Sequence, residues 1–378
     1  MSVEQLNTEH TYQRCTRCIM DTTDPEITFD EQGHCNHCNE YFRLAPFYIY
    51  NGAKSDEALK QLVAKIKEDG KNSEYDCIVG VSGGVDSSYV AYITKQLGLR
   101  ALTFHFDNGW NSELAVKNIE NIVKKLGFDY QTWVVDWEEF RDLQISFLKA
   151  SVANAEAPSD HAFLAATYQL CAKYNIKYIL NGSNFATEGI LPDSWGYNAK
   201  DVKQIKGIHR IFGKIPFKTY PLLGFYKEFY YTYVKKIKMV RLLNYVPYVK
   251  EDAMKVIQDE LGWVYYGGKH YESVFTRFFQ AYYLPKKFGY DKRLAHLSTL
   301  ICSGQITREE ALKEMEKETY PADLLASDKA YVIKKLGMNE QEFDAILNAP
   351  PKKYSDYPND EKRLKRIYSI YHKLKGRK

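Results

Sequence analysis

The chain has 378 residues, 45% of them hydrophobic, with 52 Lys and Arg against 48 Asp and Glu. At roughly 150 residues per domain, this length predicts two to three units with a large core and excludes a mini-protein held together by staples. A formal net charge of +4 does not by itself indicate a nucleic-acid or membrane surface, so we consider nucleic acid an unlikely partner. No apolar run reaches the roughly 20 residues of a membrane helix, and Met1 to Arg14 lack a secretory signal. We therefore expect a cytoplasmic protein without membrane contact.

Four of the seven cysteines lie close together as two C-x-x-C pairs, Cys15 with Cys18 and Cys35 with Cys38. Their separation lies in the range of four-thiolate zinc sites, and four sulfurs fill a tetrahedral shell. We therefore predict a structural Zn²⁺ site, with His34 and His37 flanking it. A redox dithiol and an iron–sulfur cluster are the alternatives. The remaining Cys77, Cys171 and Cys302 are expected to be buried apolar side chains.

The next segments alternate between strand and helix patterns. Ser55 is expected to cap a helix whose apolar face is Leu59, Leu62, Val63 and Ile66. Apolar runs then predict strands over 77–81, 101–106, 130–135 and 178–180, with helices between them. Repeated βα units predict an α/β fold with a parallel sheet, helices on both faces and ligands at the carboxyl ends of the strands.

The second half of the chain is less regular in its pattern. We expect an irregular, substrate-facing stretch from Glu188 to Gly224 and a mostly helical region after Phe225. Helices are predicted to start at Thr307, Ser327 and Asn339, and an apolar stripe predicts a last helix with Leu364, Ile367, Tyr368, Tyr371 and Leu374. The expected domains are 1–54 (four-cysteine unit), 55–225 (α/β domain) and 226–378 (helical region that contributes to the active site).

A Gly- and Ser-rich loop lies between the first predicted strand and its helix. Two glycines let backbone N–H groups approach an oxyanion, hydroxyls add donors, and the helix N-terminus adds its positive end. The pattern is neither a Walker loop nor a dinucleotide fingerprint. Asp86 can hold Mg²⁺ between phosphate oxygens. The sequence thus predicts a phosphate loop, with a plain tight turn as the alternative, over Ser82, Gly83, Gly84, Val85, Asp86, Ser87 and Ser88.

Polar motifs also follow the second and fourth predicted strands. Asp107 and Asn108 are expected to contact nucleotide or metal, unless they form only an Asx turn. After the fourth strand, Glu188 can hold magnesium or orient an amine, unless it belongs only to a polar loop. Cations farther along can neutralise a departing pyrophosphate, unless they are solvated surface residues: Lys269, Arg277, Lys286, Lys287, Lys292 and Arg293.

Together, these motifs resemble the N-acetyl sugar amidotransferases of the WbpG and PseA type, in the PP-loop ATP-pyrophosphatase superfamily. The resemblance implies a sheet of the HUP, adenine-nucleotide α-hydrolase type. It further implies that ATP adenylates the acetamido oxygen of a nucleotide-linked N-acetyl sugar, and that ammonia displaces AMP to leave an acetamidino group. Such a reaction belongs to lipopolysaccharide O-antigen or nonulosonic acid biosynthesis. The implied catalytic residues are Asp86, Glu188 and Lys269, and ATP is bound by the loop, Asp107, Asn108, Gly182 and Lys292.

Two other functions use the same features. A tRNA-thiolating enzyme also combines zinc knuckles with this loop, but it needs a reactive cysteine. A catalytically silent zinc-ribbon protein is the other alternative. The chain has no cysteine at residue 2 and no Gly-x-Cys-x-Gly elbow, so we expect a separate glutaminase subunit to supply ammonia.

Overall fold

The computed structural model of the chain describes residues 12–50, 52–268, 271–363, 366 and 369. Within this part of the chain, five short strands form one parallel sheet in the order β3-β2-β1-β4-β5. The strands are β1 (Cys77–Gly80), β2 (Ala101–Asp107), β3 (Asp129–Val134), β4 (Tyr178–Asn181) and β5 (Lys238–Arg241). The predicted parallel α/β fold is therefore confirmed.

Four strands lie where the apolar runs place them, to within one residue at each end. The fifth strand, Lys238–Arg241, is a correction, because it lies in a region expected to be helical. It is a largely exposed edge strand, and only its pairing with β4 defines it. The α/β unit therefore extends beyond the boundary expected at residue 225.

Helices connect and surround the strands. In the first half of the chain they are α1 (Asn36–Tyr48), α2 (Ala53–Gly70), α3 (Val85–Gln96), α4 (Glu113–Leu126), α5 (Trp137–Lys149), α6 (Ala157–Lys173), α7 (Phe185–Glu188) and α8 (Val202–Phe212). In the second half they are α9 (Phe225–Phe229), α10 (Lys250–Leu261), α11 (Val274–Phe278), α12 (Leu284–Phe288), α13 (Lys292–Cys302), α14 (Arg308–Glu316), α15 (Ala322–Leu336) and α16 (Glu340–Asn348). Over the described ranges, none of these helices is both long and apolar enough to cross a membrane.

The sheet is covered on both faces because successive side chains of a strand point to opposite sides. Ile78 belongs to the core formed with α5, α6 and the later helices α11, α15 and α16. Its neighbours Cys77 and Val79 belong to the core formed with α2, α3, α4 and α10. Cys77 and Cys171 are fully buried and Cys302 is nearly so, as predicted.

Helix starts follow the capping chemistry in some places and not in others. Thr307 and Asn339 each accept a backbone N–H as N-caps, as predicted, and Ser112 does the same at the start of α4. The expected start at Ser55 is wrong, since α2 begins earlier and the Ser55 hydroxyl donates to Tyr245 O at 2.7 Å. The expected start at residue 327 is also wrong, because α15 begins five residues earlier, behind a proline.

The stretch from Glu188 to Gly224 is not wholly irregular. It contains α8, whose N-cap Asp201 accepts from Gln204 N at 3.0 Å. Apolar residues at helical spacing, among them the buried Ile205 and Ile208, are the sequence signal of this helix, which corrects the expected irregular structure. The apolar stripe expected in the last helix lies outside the described residues.

The four-cysteine unit is packed against the rest of the chain. Its cysteines form a third core with α7, α13 and α14. Ile19 N donates to Ser298 Oγ at 3.2 Å, and the Arg308 guanidinium donates to Cys18 O at 3.0 Å and Cys15 O at 3.1 Å. Helices α13 and α14 therefore hold the cysteine unit against the loop after β4.

Candidate active site

The predicted phosphate loop connects β1 to the first turn of α3, at the carboxyl edge of the sheet. Gly83 has a positive φ of +79°, and a Cβ there would lie 2.6 Å from Ala115 O. Both the backbone angle and the contact require glycine. Ser82 and Ser87 face each other, with their hydroxyl oxygens 3.1 Å apart. The loop therefore presents backbone N–H groups and two hydroxyls at a helix N-terminus, as an oxyanion site needs.

Ser88 does not have the role expected for it. Its side chain is fully buried, and its hydroxyl donates to Gly84 O at 2.6 Å. This bond stabilises the first turn of α3. Its burial therefore removes Ser88 from the candidate phosphate donors, while phosphate binding by the half-buried Ser87 and the exposed Ser82 stays a prediction.

The loop after β4 lies directly against the phosphate loop. A Cβ on Gly182 would lie 2.9 Å from the Asp86 carbonyl carbon and 3.0 Å from Ser87 N. Only a residue without a side chain fits between the two loops. The structure thus brings Gly182 to the predicted nucleotide site, and its contribution there is close packing.

Asp86 lies in the first turn of α3 and accepts a hydrogen bond from the Tyr248 hydroxyl. Burial, followed by the charges of Asp86 and Glu188, raises the pKa of Tyr248 far above its ordinary value. Tyr248 is therefore a neutral donor to Asp86, and the charge of Glu188 acts on it as well. In turn, Gln305 Nε2 donates to Tyr248 O at 3.3 Å. The sequence does not predict this role of Tyr248, because no local pattern indicates contact with a loop about 160 residues away.

A second tyrosine–carboxylate pair lies over Gly84. A Cβ on Gly84 would be 3.3 Å from both Glu272 Oε1 and the Tyr266 hydroxyl oxygen. Burial and the neighbouring Glu272 carboxylate raise the pKa of Tyr266 well above its ordinary value. Asp86 and Glu272 therefore both lie at the start of α3, and Glu188 lies near Tyr248. Carboxylate oxygens suit Mg²⁺, but within the described part of the chain these three carboxylates do not form a group with metal-ligand geometry.

The segment that carries Glu272 is anchored across the sheet edge. Trp263 Nε1 donates to Gly83 O at 2.8 Å, and Asn118 Nδ2 donates to Val264 O at 2.9 Å. Ser112 N donates to Glu272 O at 2.9 Å. Lys269, predicted to be catalytic, lies in the same segment but outside the described residues.

Asp107 is the last residue of β2, Asn108 follows it, and both form hydrogen bonds within the turn. Asp107 Oδ1 accepts from Gly109 N at 2.8 Å and from Asn111 Nδ2 at 2.9 Å. Asn108 Oδ1 accepts from Trp110 N at 3.1 Å, and its amide donates to Ser159 Oγ at 2.6 Å. The structure therefore contains the Asx turn that was the alternative. Contact of Asp107 and Asn108 with a nucleotide stays a prediction, with which their position at the sheet edge is consistent.

Several of the predicted cations have structural partners instead. Arg277 pairs with Asp328 at 2.7 Å, and Arg293 pairs with Asp291 at 2.7 Å. Lys287 is buried and donates to three carbonyl oxygens at the end of α16, Ile346, Leu347 and Ala349. These three cations stabilise helices, which corrects their expected role at the pyrophosphate. Lys286 is exposed on α12, and Lys292 is the half-buried first residue of α13.

The four cysteine sulfurs form one buried cluster. All lie within 4.8 Å of one another, with Cys15 to Cys38 at 3.8 Å and Cys18 to Cys35 at 3.5 Å. Bonds of about 2.3 Å to a tetrahedral zinc place sulfurs about 3.8 Å apart. Backbone N–H groups point at two of these sulfurs, as in Cys18 N to Cys15 Sγ at 3.4 Å. The cluster can therefore hold a tetrahedral metal ion.

The two histidines beside the cluster have other partners, as expected. His37 Nε2 is 2.6 Å from Asp24 Oδ2, and His34 Nδ1 is 2.6 Å from Arg17 Nη2. Among the described residues, only the four cysteines form a group with metal-ligand geometry.

Two family models match the chain. The model described as NAD synthase matches residues 56–188, which contain the phosphate loop and the end of β4. This match and the parallel sheet define a PP-loop protein of the ATP-using, ligase-like class. The second model, described as the C-terminal domain of LPS biosynthesis protein WbpG-like, matches residues 272–375. Together, the two matches support a WbpG-type PP-loop protein, as the sequence motifs suggest.

Two curated proteins are similar to this chain. An uncharacterized protein of Methanocaldococcus jannaschii is 22% identical over 323 residues, which cover 82% of this chain and 96% of the relative. A glutamine-hydrolyzing GMP synthase of Pyrobaculum aerophilum is 27% identical over 215 residues. That match covers 56% of this chain and only 40% of the synthase.

Solved structures show only a distant likeness. NMN synthetase from Francisella tularensis is 12% identical with a TM-score of 0.30, over 57% of this chain and all of that one. The NH3-dependent NAD synthetase from Campylobacter jejuni is 13% identical with a TM-score of 0.30, over 79% and 98% of the two chains. Such scores are too low to support an argument about the site, so the fold assignment rests on the strand order and the family models.

Proposed function

We propose that this protein is an ATP-dependent amidotransferase that converts the acetamido group of a nucleotide-linked N-acetyl sugar into an acetamidino group. The observation that carries the proposal is Glu272 of the WbpG-like region lying over Gly84 of the phosphate loop. The region that distinguishes this type of PP-loop protein thus contributes directly to the loop. Lipopolysaccharide O-antigen or nonulosonic acid biosynthesis is the proposed context.

The chemistry needs an activated amide oxygen, because an amide oxygen is a very poor leaving group. The acetamido oxygen attacks the α-phosphorus of ATP, and pyrophosphate leaves. Ammonia then adds to the imidate carbon, and AMP departs with the former amide oxygen. In such displacements, protein groups act mainly by positioning the reactants and by stabilising charge.

Residues of the phosphate loop and of the neighbouring segments have different proposed roles in this reaction. Backbone N–H groups of Gly83 and Gly84 and the hydroxyls of Ser82 and Ser87 bind the departing pyrophosphate. Asp86 and Glu188 can hold Mg²⁺, which supplies charge neutralisation at the phosphates. Lys269 and Lys292 are the proposed cations for the nucleotide.

The cysteine cluster has a structural role in this proposal. Four thiolates close the shell of a Zn²⁺ ion and leave no position for a substrate. The cluster supports α13 and α14, and Gln305, between these helices, contacts Tyr248 next to Asp86.

Heavy-oxygen transfer tests the reaction. A nucleotide-linked sugar labelled with ¹⁸O in its acetamido carbonyl should yield labelled AMP, pyrophosphate and an acetamidino product. Asp86→Ala and Ser82→Ala should abolish turnover without unfolding the chain, while Asp259→Ala, on the exposed side of α10, should not. Release of ADP and phosphate, or unlabelled AMP, would contradict the proposal.

The thiolation alternative receives less support. Burial raises the pKa of Cys77 and Cys171, and it raises the pKa of Cys302 to about 12. A thiol of this kind is a poor nucleophile. None of the three is therefore suited to carry sulfur to a nucleic acid.

The ammonia source is also part of the proposal. All three cysteines outside the cluster are buried, and none sits on a glutaminase-type elbow. We therefore propose that a separate glutaminase subunit docks on this chain and delivers ammonia to the adenylate.

A further inference from the structure

A pocket of about 240 Å³ lies at the carboxyl ends of β2 and β3, on the same edge of the sheet as the phosphate loop. Five of its lining residues come from the sheet domain, and one comes from α15 in the WbpG-like region. They are Asp107, Gly109, Val134, Val135, Trp137 and Lys335. The two regions of the chain that the family models separate therefore meet in this pocket.

Lys335 is held in the pocket by neutral groups. Its ammonium donates to Gly109 O and to the Tyr331 hydroxyl, the latter at 3.1 Å. It also lies 5.0 Å from the ring centroid of Trp137, 5.3 Å from that of Trp110 and 5.4 Å from that of Tyr331. Among the described residues, no carboxylate lies within ion-pair distance of this ammonium. Aromatic rings and a carbonyl orient the charge without neutralising it, so it can still pair with an anion.

The other walls match the rest of a sugar nucleotide. The Asp107 carboxylate can accept hydrogen bonds from sugar or ribose hydroxyls. Trp137 and the two valines provide an apolar surface against which a ring can pack. The pocket is smaller than the roughly 300–1,000 Å³ of sites that enclose a whole drug-sized ligand, so it takes only part of such a molecule.

We infer that Lys335 binds a phosphate group of the nucleotide-linked acceptor, with the adjoining ring against Trp137. This inference rests on the proposed function, because it assigns the acceptor to one side of the phosphate loop. ATP is the other possible source of a phosphate. However, the loop after β1 already matches the charged part of ATP, and the pocket lies at the ends of β2 and β3, one to two strands, about 5–10 Å, to the side. ATP reaching that far would present its uncharged adenosine.

The substitution Lys335→Met tests the assignment, because it keeps the unbranched stem over the rings and removes the charge. Lys335→Arg keeps the charge, and Lys334→Met alters the exposed neighbour on α15, which does not line the pocket. Binding would be measured by calorimetry with uridine diphosphate, cytidine monophosphate and the corresponding acetamido sugars, and separately with MgATP. Thermal melting would confirm that each variant folds.

We expect Lys335→Met to weaken binding of the nucleotide or nucleotide-linked sugar at least tenfold, while MgATP affinity stays within twofold and Lys334→Met behaves as wild type. Lys335→Arg should retain most of the affinity. Unchanged acceptor binding by folded Lys335→Met, a loss confined to MgATP, an equal loss in Lys334→Met, or a wild-type chain that binds none of the acceptor probes would overturn the inference. Since binding is measured without turnover, a missing acetamidino product would refute the proposed function separately.

Discussion

At two positions of the phosphate-loop region, neighbouring atoms lie so close to the backbone that only glycine fits. Gly182 faces the backbone of Asp86 and Ser87, and Gly83 faces the backbone of Ala115. In both cases the neighbouring atoms are backbone, which cannot swing away as a flexible side chain can. The conformation of the phosphate loop therefore depends on two glycines, which have no functional group in a side chain.

Gly182→Ala should move the phosphate loop. Its Cβ would lie 2.9 Å from backbone atoms, and overpacking of this kind typically costs about 1–3 kcal/mol. We expect ATP binding to weaken at least tenfold and the midpoint of urea unfolding to fall. Gly196→Ala is the matched control, because its nearest neighbour would be 3.5 Å away and its φ is −88°. Equal effects in the two variants would count against the packing argument.

His161 provides a pH-dependent contribution to stability. It is fully buried, its Nδ1 lies 2.7 Å from Ala199 O, and its Nε2 accepts from Leu223 N at 3.0 Å. Burial lowers its pKa to about 4. Below the ordinary value of about 6.5, the unfolded chain therefore binds the proton more readily than the folded chain. The free energy of unfolding should fall by roughly 3 kcal/mol between pH 6.5 and pH 4 from this group.

Urea unfolding at pH 7 and at pH 4.5 measures this effect. His161→Gln should be less stable at pH 7 but should lose less stability on acidification than the wild-type chain. If both proteins lose the same amount, another group is responsible.

At the scale of elements, α13 and α14 link the cysteine cluster to the active site. Ser298 and Arg308 bind the backbone of the cysteine loop, while Thr299 accepts from Ile190 N at 3.1 Å, just after α7. Gln305 contacts Tyr248, which donates to Asp86. Loss of the metal should therefore disturb the active site as well as the N-terminal unit.

We expect one zinc per chain, and Cys35→Ser should lose it. Structural zinc contributes folding free energy directly, so the variant should melt at a lower temperature and lose ATP turnover. Elemental analysis and thermal melting measure the two effects. Cys171→Ser, buried far from the cluster in the core with α6, is the control and should keep its zinc. An iron–sulfur absorbance, or purified chain without zinc, would show that the metal assignment is wrong.

At the scale of the whole molecule, the NAD-synthase-like and WbpG-like regions both contribute residues to the candidate site. Glu272 lies over the phosphate loop, and Lys335 reaches the turn after β2. The NAD-synthase-like region matches enzymes that use ATP, and the second region adds side chains along the same sheet edge. A chain that ended after the sheet domain would therefore lack part of the proposed site.

The proposed ammonia supply predicts a clear difference between nitrogen donors. The isolated chain should form product with high concentrations of ammonium salt, because free ammonia reaches the adenylate directly. With glutamine alone it should form none, since no suitable cysteine nucleophile is available. Product would be measured by mass spectrometry with each donor. Rapid glutamine-dependent turnover by the isolated chain would refute the need for a glutaminase subunit.

The sequence by itself determined the local features of this protein. Apolar runs predicted β1 to β4, and the loop from Ser82 to Ser88 predicted phosphate binding, because these patterns depend on neighbouring residues. Paired C-x-x-C turns likewise predicted a cluster that the geometry supports. In each case, the structure depends mainly on residues that are close together in the sequence, so a short stretch is enough to predict it.

Only the tertiary structure decided what residues distant in the chain do. In the fold, Lys287 donates to carbonyl oxygens at the end of α16, and Tyr248 and Glu272 lie beside the phosphate loop. Lys238–Arg241 forms a strand because it pairs with β4. A lysine or a carboxylate has no periodicity that reveals its partner. Its role depends on which backbone or charge the fold brings within a few ångströms, and burial then determines whether that charge must be paired.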